Sequence, residues 1–205
     1  MPLRFSFIRR KNAAGWLVAL TFLAYMHPVW AGVEEGRTKA QTCIACHGPA
    51  GNSVNPSIPS LSGQPKQFIT SALFQFREGK RVNPQMSPFA ASLTNADLND
   101  LAAYFSAQVI VPNQVKVSAE DVVLGRQLSV QNNCVACHAA NLMGQQHIPR
   151  LAGQHQEYLR DQLRSFKASL RGEMDGVMTS AAQGLTEQDI NVLANYLSSL
   201  AITAP

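Results

Sequence analysis

The sequence predicts an all-α protein built from two tandem copies of one small helical unit. Three observations carry that prediction. A segment at residue 43 recurs at residue 134, and its downstream neighbours recur at nearly the same offset. Within each copy, apolar residues return every three or four positions, as on the buried face of a helix. No stretch shows a convincing period-two alternation of the kind a half-buried strand leaves.

The repeat is the firmest of the three. Cys43-Ile44-Ala45-Cys46-His47 returns as Cys134-Val135-Ala136-Cys137-His138, 91 residues later. Pro59-Ser60-Leu61-Ser62-Gly63-Gln64 returns as Pro149-Arg150-Leu151-Ala152-Gly153-Gln154 at an offset of 90. Leu93-Thr94 and Leu101-Ala102-Ala103-Tyr104 return as Leu185-Thr186 and Leu193-Ala194-Asn195-Tyr196 at an offset of 92. So small a drift marks a tandem duplication of a unit of about 80–90 residues. Such a unit is marginal on apolar burial alone.

Residues 1–31 read as a secretory signal peptide rather than as part of the fold. Arg4, Arg9, Arg10 and Lys11 form a positive start, 13–25 is apolar, and Val29-Trp30-Ala31 ends in a small residue at the cleavage position. An uncleaved anchor is the alternative, although the apolar run falls short of the about 20 residues that a span needs. Four of the seventeen Lys and Arg residues and none of the thirteen acids lie in this segment, so the remainder carries thirteen of each. A neutral mature chain offers no basic patch for nucleic acid. The two units are expected at 32–111 and 112–205.

Each unit reads as a series of helices. The first is expected over 34–42, and over 119–132 in the second unit, where Ser118 is a candidate N-cap with Asp121 three residues on. A loop rich in Gly, Pro, Asn and Ser follows the first pentapeptide. Middle helices are expected over 66–78 and 156–170; Phe68, Ile69, Ala72, Leu73 and Phe76 form one stripe, and Tyr158, Leu159, Leu163 and Phe166 the other. A Met-containing loop then leads to the last helix. It opens with the capping-box-like pairs Thr94/Asp97 and Thr186/Asp189. Residues 108–117 are the expected linker.

C-x-x-C-H is the attachment signature of a c-type haem. Two thiols three positions apart reach the two vinyl groups of one porphyrin, and the adjacent His offers its imidazole to the iron. Cys43, Cys46, Cys134 and Cys137 are all the cysteines in the chain, so two covalently bound haem c groups use every thiol. The rivals fit less well. A single Cys₄ zinc site has far too long a gap between its pairs, a redox dithiol lacks its βαβ context and leaves His47 and His138 unexplained, and structural disulfides are conceivable in an exported protein.

The duplication also selects a second axial ligand. Met86 and Met178 each lie seven residues before the Leu-Thr pair, 39 and 40 residues after His47 and His138. Thioether ligation favours reduced iron and raises the potential. Met174 shares a loop with Met178 but breaks the register, Met143 is too near its own motif, and His147 and His155 are bis-histidine alternatives. Carbonyls within 56–61 and 148–151 are expected to orient the motif histidines. Arg77, Arg81, Lys167 and Arg171 are either candidates for the haem propionates or ordinary solvated charges.

On these residues the chain resembles the two-haem cytochrome c4 family. The resemblance is carried by the paired motifs, Cys46-His47-Gly48-Pro49-Ala50-Gly51-Asn52-Ser53, the Pro-x-Leu-x-Gly-Gln repeats, Asn83-Pro84-Gln85-Met86-Ser87-Pro88 and the Ala-x-Tyr helices. It implies two class I cytochrome c domains around a pseudo-twofold axis, with close haems whose propionates lie near the interface. It also implies His/Met ligation by His47 with Met86 and His138 with Met178. It further implies a periplasmic respiratory carrier passing electrons toward a terminal oxidase, often loosely membrane-associated. One departure stands out: the second unit has Ala139-Ala140-Asn141-Leu142-Met143-Gly144 where the first has its glycine loop, so different surroundings are expected for that haem.

The expected function is therefore electron carriage between redox protein partners, with no catalytic residue and no small-molecule substrate, because protein fills both axial positions. The alternatives are a cytochrome subunit of a dehydrogenase, for example a sulfur-compound-oxidising flavoprotein; a two-haem enzyme such as a peroxidase; and a structural metal module.

Overall fold

A computed structural model describes residues 2, 28–113, 115–173 and 175–202, with backbone alone for 28–31. The positive start and apolar run of the expected signal peptide lie outside the described residues. Helices α1 (Pro28–Lys39), α2 (Gln41–His47), α3 (Lys66–Arg77), α4 (Met86–Ala90) and α5 (Asn95–Ser106) form the first half. Helices α6 (Ala119–Gln131), α7 (Cys134–His138), α8 (Gln156–Lys167), α9 (Val177–Gln183) and α10 (Glu187–Ser199) repeat them in the same order. Among the described residues there is no strand, only an isolated bridge between Gln145 and Ile148. No helix among them is long and apolar enough to cross a membrane.

Each half packs its first helix against its last, and a glycine sets how closely they cross. A Cβ at Gly36 would lie 2.1 Å from the Asp100 carbonyl oxygen and 2.7 Å from Tyr104 Cβ. At Gly125 it would lie 2.2 Å from Tyr196 Cβ. The duplication already pairs Tyr104 with Tyr196, and Gly36 with Gly125 is the matching half of the contact. Two separate cores result. Ile69, Leu101, Ala102 and Phe105 are buried in one, and Leu159, Phe166, Ile190, Leu193 and Leu197 in the other. The middle-helix stripes read from the sequence, together with the last helices, supply both.

The capping boxes form in both halves with the same N-cap backbone, φ −78° and ψ 167°. Ser118 caps α6, accepting from the Asp121 amide at 3.0 Å. Its box is not closed: the Asp121 carboxylate accepts from Asn195 Nδ2 instead. Two other expectations change. The Met-containing loops hold short helices, α4 and α9, and the haem motifs are themselves helical.

Candidate haem-binding sites

Helices α2 and α7 present the thiol pairs. Residues three apart face the same side of a helix, so Cys43 with Cys46, and Cys134 with Cys137, stand side by side. The first thiol of each pair is half-buried and the second exposed. Burial pushes the Cys43 and Cys134 thiols above their ordinary pKa. Among the described residues no three His, Cys, Asp or Glu side chains gather as a metal cluster, so the two pairs do not join in one zinc site.

The motif histidines are buried, His47 at 6% exposure and His138 at 3%. Nδ1 of His47 bonds the Pro59 carbonyl at 2.8 Å, and Nδ1 of His138 bonds the Pro149 carbonyl at 2.8 Å. A carbonyl only accepts, so each Nδ1 carries the proton and each Nε2 keeps a lone pair. Burial lowers both imidazole pKa values, and the carbonyl bond offsets this in part. The imidazoles are thus neutral near pH 7, the state in which His ligates a metal. Beside each stands a thiol pair at the haem spacing. The residues present therefore fit a covalently attached haem in each half.

Met86 opens α4, its amide held by Asn83 Oδ1 at 2.8 Å. Met178 lies in the first turn of α9, where Asp175 and Glu173 hold the flanking amides of Val177 and Thr179. Both methionines thus lie in the first turn of a short helix. Of the bis-histidine alternatives, His155 engages its Nε2 in a hydrogen bond to the Ser53 carbonyl at 2.9 Å, across to the other half. His147 is exposed, Met143 packs against the second core, and Met174 lies outside the described residues.

The loop that lacks its glycines nonetheless starts on the same path, and departs from it only at Gly144 and Gln146, which turn through positive φ. Gly48 has φ 76° and ψ 169°, and Ala139 in its place has φ 66° and ψ 160°. The Gly51 carbonyl accepts from Leu61 and Ser62, and the Leu142 carbonyl accepts from Leu151 and Ala152. A Cβ on Gly51 would meet the Phe105 ring at 2.7 Å. In the second half the counterpart of Phe105 is the smaller Leu197, and Leu142, in the place of Gly51, is 1% exposed in the same core. The expected difference around the second haem is thus a repacking where the loop begins and a new backbone beyond it, one residue shorter and closed by the Gln145–Ile148 bridge.

The halves meet along a seam that the sequence did not reveal. The Gln64 side chain donates to the Arg150 carbonyl (3.1 Å) and accepts from its amide (2.9 Å). Gln154 does the same with Ser60, at 2.9 Å in both directions. Positions 60 and 150, like 64 and 154, are duplicates, so the contact is reciprocal, as in a twofold interface. The repeated Gly-Gln was visible as a sequence match without a role. The Arg150 guanidinium, 1% exposed, donates to the carbonyls of Ser62 and Ala152. Burial brings its pKa down to about 10.

Of the four cations, two are structural ties. Arg77 donates to the Leu93 carbonyl and to Asn95 Oδ1, and Lys167 donates to the Gln183 carbonyl. Arg81 and Arg171 instead turn toward the seam, where both donate to Gln162 Oε1.

Comparison with known proteins agrees with this geometry. A family profile described as Cytochrome c matches residues 33–107 and 122–201, one match per half. The chain is 36% identical over 177 residues to cytochrome c4 of Thiocapsa roseopersicina, covering 82% of this chain and 92% of the relative. The chain belongs to the cytochrome c4 family. The crystal structure of reduced recombinant cytochrome c4 from Pseudomonas stutzeri superposes with a TM-score of 0.76 at 30% identity, covering 82% of this chain and 98% of that one. A thiosulfate dehydrogenase electron acceptor of Thiomonas intermedia strain K12 is 30% identical over 207 residues, 94% of this chain and 91% of the relative. As a cytochrome c4 family member the chain is a two-haem electron carrier and not an enzyme. Its cofactors are two covalently bound haem c groups, one in each of its tandem domains.

Proposed function

We propose that this protein is an exported, periplasmic carrier of single electrons in the respiratory chain. Cys43 and Cys46 hold the haem of domain 32–111, with His47 and Met86 on its iron. Cys134 and Cys137 hold that of domain 112–205, with His138 and Met178 on its iron. The carrying observation is the pair of buried histidines, each with Nδ1 committed to a proline carbonyl and Nε2 left as a lone-pair donor. Haem iron supplies the Fe(III)/Fe(II) couple, and the chain fixes the ligands, excludes water and presents an edge to partners. With two protein ligands on each iron, no coordination position is left for a substrate.

Electrons pass between redox proteins, toward a terminal oxidase. A second reading, acceptance of electrons from a thiosulfate-oxidising dehydrogenase, is favoured by the end-to-end match to the Thiomonas protein. Optical spectra of the pure protein, haem quantified per chain, and addition of carbon monoxide test the ligand set. Two haems per chain with neither binding carbon monoxide is the expected result. Ready binding at one haem overturns the Met assignment there. Mixing the reduced protein with a terminal oxidase, and the oxidised protein with a thiosulfate-oxidising dehydrogenase, separates the two partner readings.

A further inference from the structure

The two methionine loops perform one task with different chemistry. Met86 and Met178 are duplicates at an offset of 92, and at that offset Asn83 matches Asp175 and Ser87 matches Thr179. In the first loop the contacts are neutral. Asn83 Oδ1 accepts from the amides of Gln85 at 2.9 Å and Met86 at 2.8 Å, and the Asn83 amide donates to Ser87 Oγ at 3.0 Å. In the second loop carboxylates take over. Asp175 Oδ1 accepts from the Val177 amide at 3.3 Å. Glu173 accepts from both donors of Thr179, the amide at 2.9 Å and the hydroxyl at 3.2 Å. Arg81 and its duplicate Arg171 lie only 90 residues apart, so the second loop is two residues longer, and Glu173 belongs to that extension. In the first half no acid occurs between Glu78 and Asp97.

Val177 and Thr179 flank Met178, so two acids hold the chain on either side of it. They are not equal. Asp175 is exposed, and water and salt screen its charge. Glu173 and Thr179 are half-buried, where screening is weaker. Among the described residues neither Glu173 nor Asp175 has a Lys or Arg within ion-pair distance. Arg171 feels the charge of Glu173, but Arg81 stands at the matching place in the first half, so this cation does not distinguish the loops. What distinguishes them is a half-buried negative charge beside Met178 and none beside Met86. Fe(III) carries one positive charge more than Fe(II), so a nearby anion favours the oxidised state and lowers the potential. Tying both donors of Thr179 also limits how far Met178 can swing.

Building on the His/Met reading above, we propose that Glu173 is a positioning residue for Met178, and that its charge holds the haem of 112–205 at a lower potential than a neutral residue there would. Glu173 acts through Thr179 and touches no reacting atom. Electron exchange itself is unchanged: Fe(III) takes one electron to become Fe(II), and no bond or proton moves at Glu173. Position and charge separate by substitution. Glu173→Gln keeps an acceptor for the Thr179 amide and offers a donor to its hydroxyl, while the charge goes. Glu173→Ala removes the contacts as well. Asn83→Asp brings a charge into the first loop and keeps an acceptor for the Gln85 and Met86 amides.

The test is a redox titration of the holoprotein in which each haem is followed by its own spectroscopic signal, after haem content and carbon monoxide inertness have been checked on the unmodified chain. Failure of that check defeats the His/Met reading, and the proposal with it; a passed check with no shift defeats the proposal alone. Glu173→Gln is expected to keep the methionine–iron absorption and to lower the Fe(III)/Fe(II) ratio of the haem of 112–205 about tenfold at a fixed potential. That is a rise of about 59 mV for one electron, with a much smaller change at the other haem. Glu173→Ala is expected to weaken the methionine–iron absorption and to admit carbon monoxide at that haem alone. An unmoved potential in Glu173→Gln overturns the role of the charge. An alanine variant that matches the glutamine variant in absorption and in carbon monoxide inertness overturns the positioning role. If Glu173→Gln does not mature, Asn83→Asp decides by the same titration: a lowered potential at the haem of 32–111 upholds the role of a carboxylate beside the methionine, and no shift overturns it.

Discussion

The loop after the first haem motif and the loop after the second start on the same course with different packing, and then diverge, the second being one residue shorter. The first puts a glycine at 51 and a phenylalanine at 105; the second puts leucine at both counterparts, 142 and 197. Backbone hydrogen bonds to the carbonyl of residue 51 or 142 are the same in each. A loop geometry can therefore outlast the glycines that make it easy, provided the volume opposite is adjusted. The cost is visible at Ala139, which occupies backbone territory that is almost reserved for glycine.

The strongest way to break this comparison is to move one partner without the other. Gly51→Leu drives a side chain into Phe105 at a positive φ and is expected to destabilise the first domain by about 3 kcal/mol or more. Adding Phe105→Leu recreates the arrangement of the second domain, and about 1 kcal/mol or more of that loss is expected back. Native-state hydrogen exchange on the holoprotein, resolved by domain, reads both; purely additive costs would show that the two positions do not compensate. Next in size is the seam. Gln64→Ala and Gln154→Ala each strand a buried amide and carbonyl, at about 1–3 kcal/mol. Exchange should accelerate at the Arg150 amide in one and at the Ser60 amide in the other, by similar factors. Unequal factors would mean that the pairing is reciprocal in geometry but not in energy.

Smaller effects separate the last helices. Thr94→Ala and Thr186→Ala should each cost about 1 kcal/mol, equally, since the caps share one geometry. The acids behind them differ. Asp97 is held below the usual carboxylate range first by Lys39 and then by Thr94, whereas Asp189 has only Thr186. Both folded pKa values are depressed, so the stabilisation is present above the unfolded pKa of about 3.9 and fades as pH falls through the folded value. Lys39→Ala should raise the Asp97 pKa toward that of Asp189, as a carboxyl NMR titration would report, and leave Asp189 unmoved.

Local rules account for the features legible in the sequence. Haem motifs, capping pairs and helix stripes are each written within a few residues, and a duplication states them twice. The proline carbonyls that orient His47 and His138 were foreseeable because a metal-binding imidazole needs an acceptor on its other nitrogen. The seam was not legible. Gln64, Gln154 and Arg150 look like ordinary polar residues until two halves close on them, and His155 offered no sign that its ring nitrogen serves Ser53 rather than iron. The sorting of Arg77 and Lys167 from Arg81 and Arg171 likewise depends on which way each chain turns after its helix. All four are long cations at or just beyond the end of a middle helix, so residue type and position do not separate them.

The tether between the halves, residues 107–118, changes what their contact must accomplish. Two separate chains would have to find one another from dilute solution. A short linker holds the partners at an effective concentration in the millimolar range, so a handful of reciprocal hydrogen bonds is enough to keep them together.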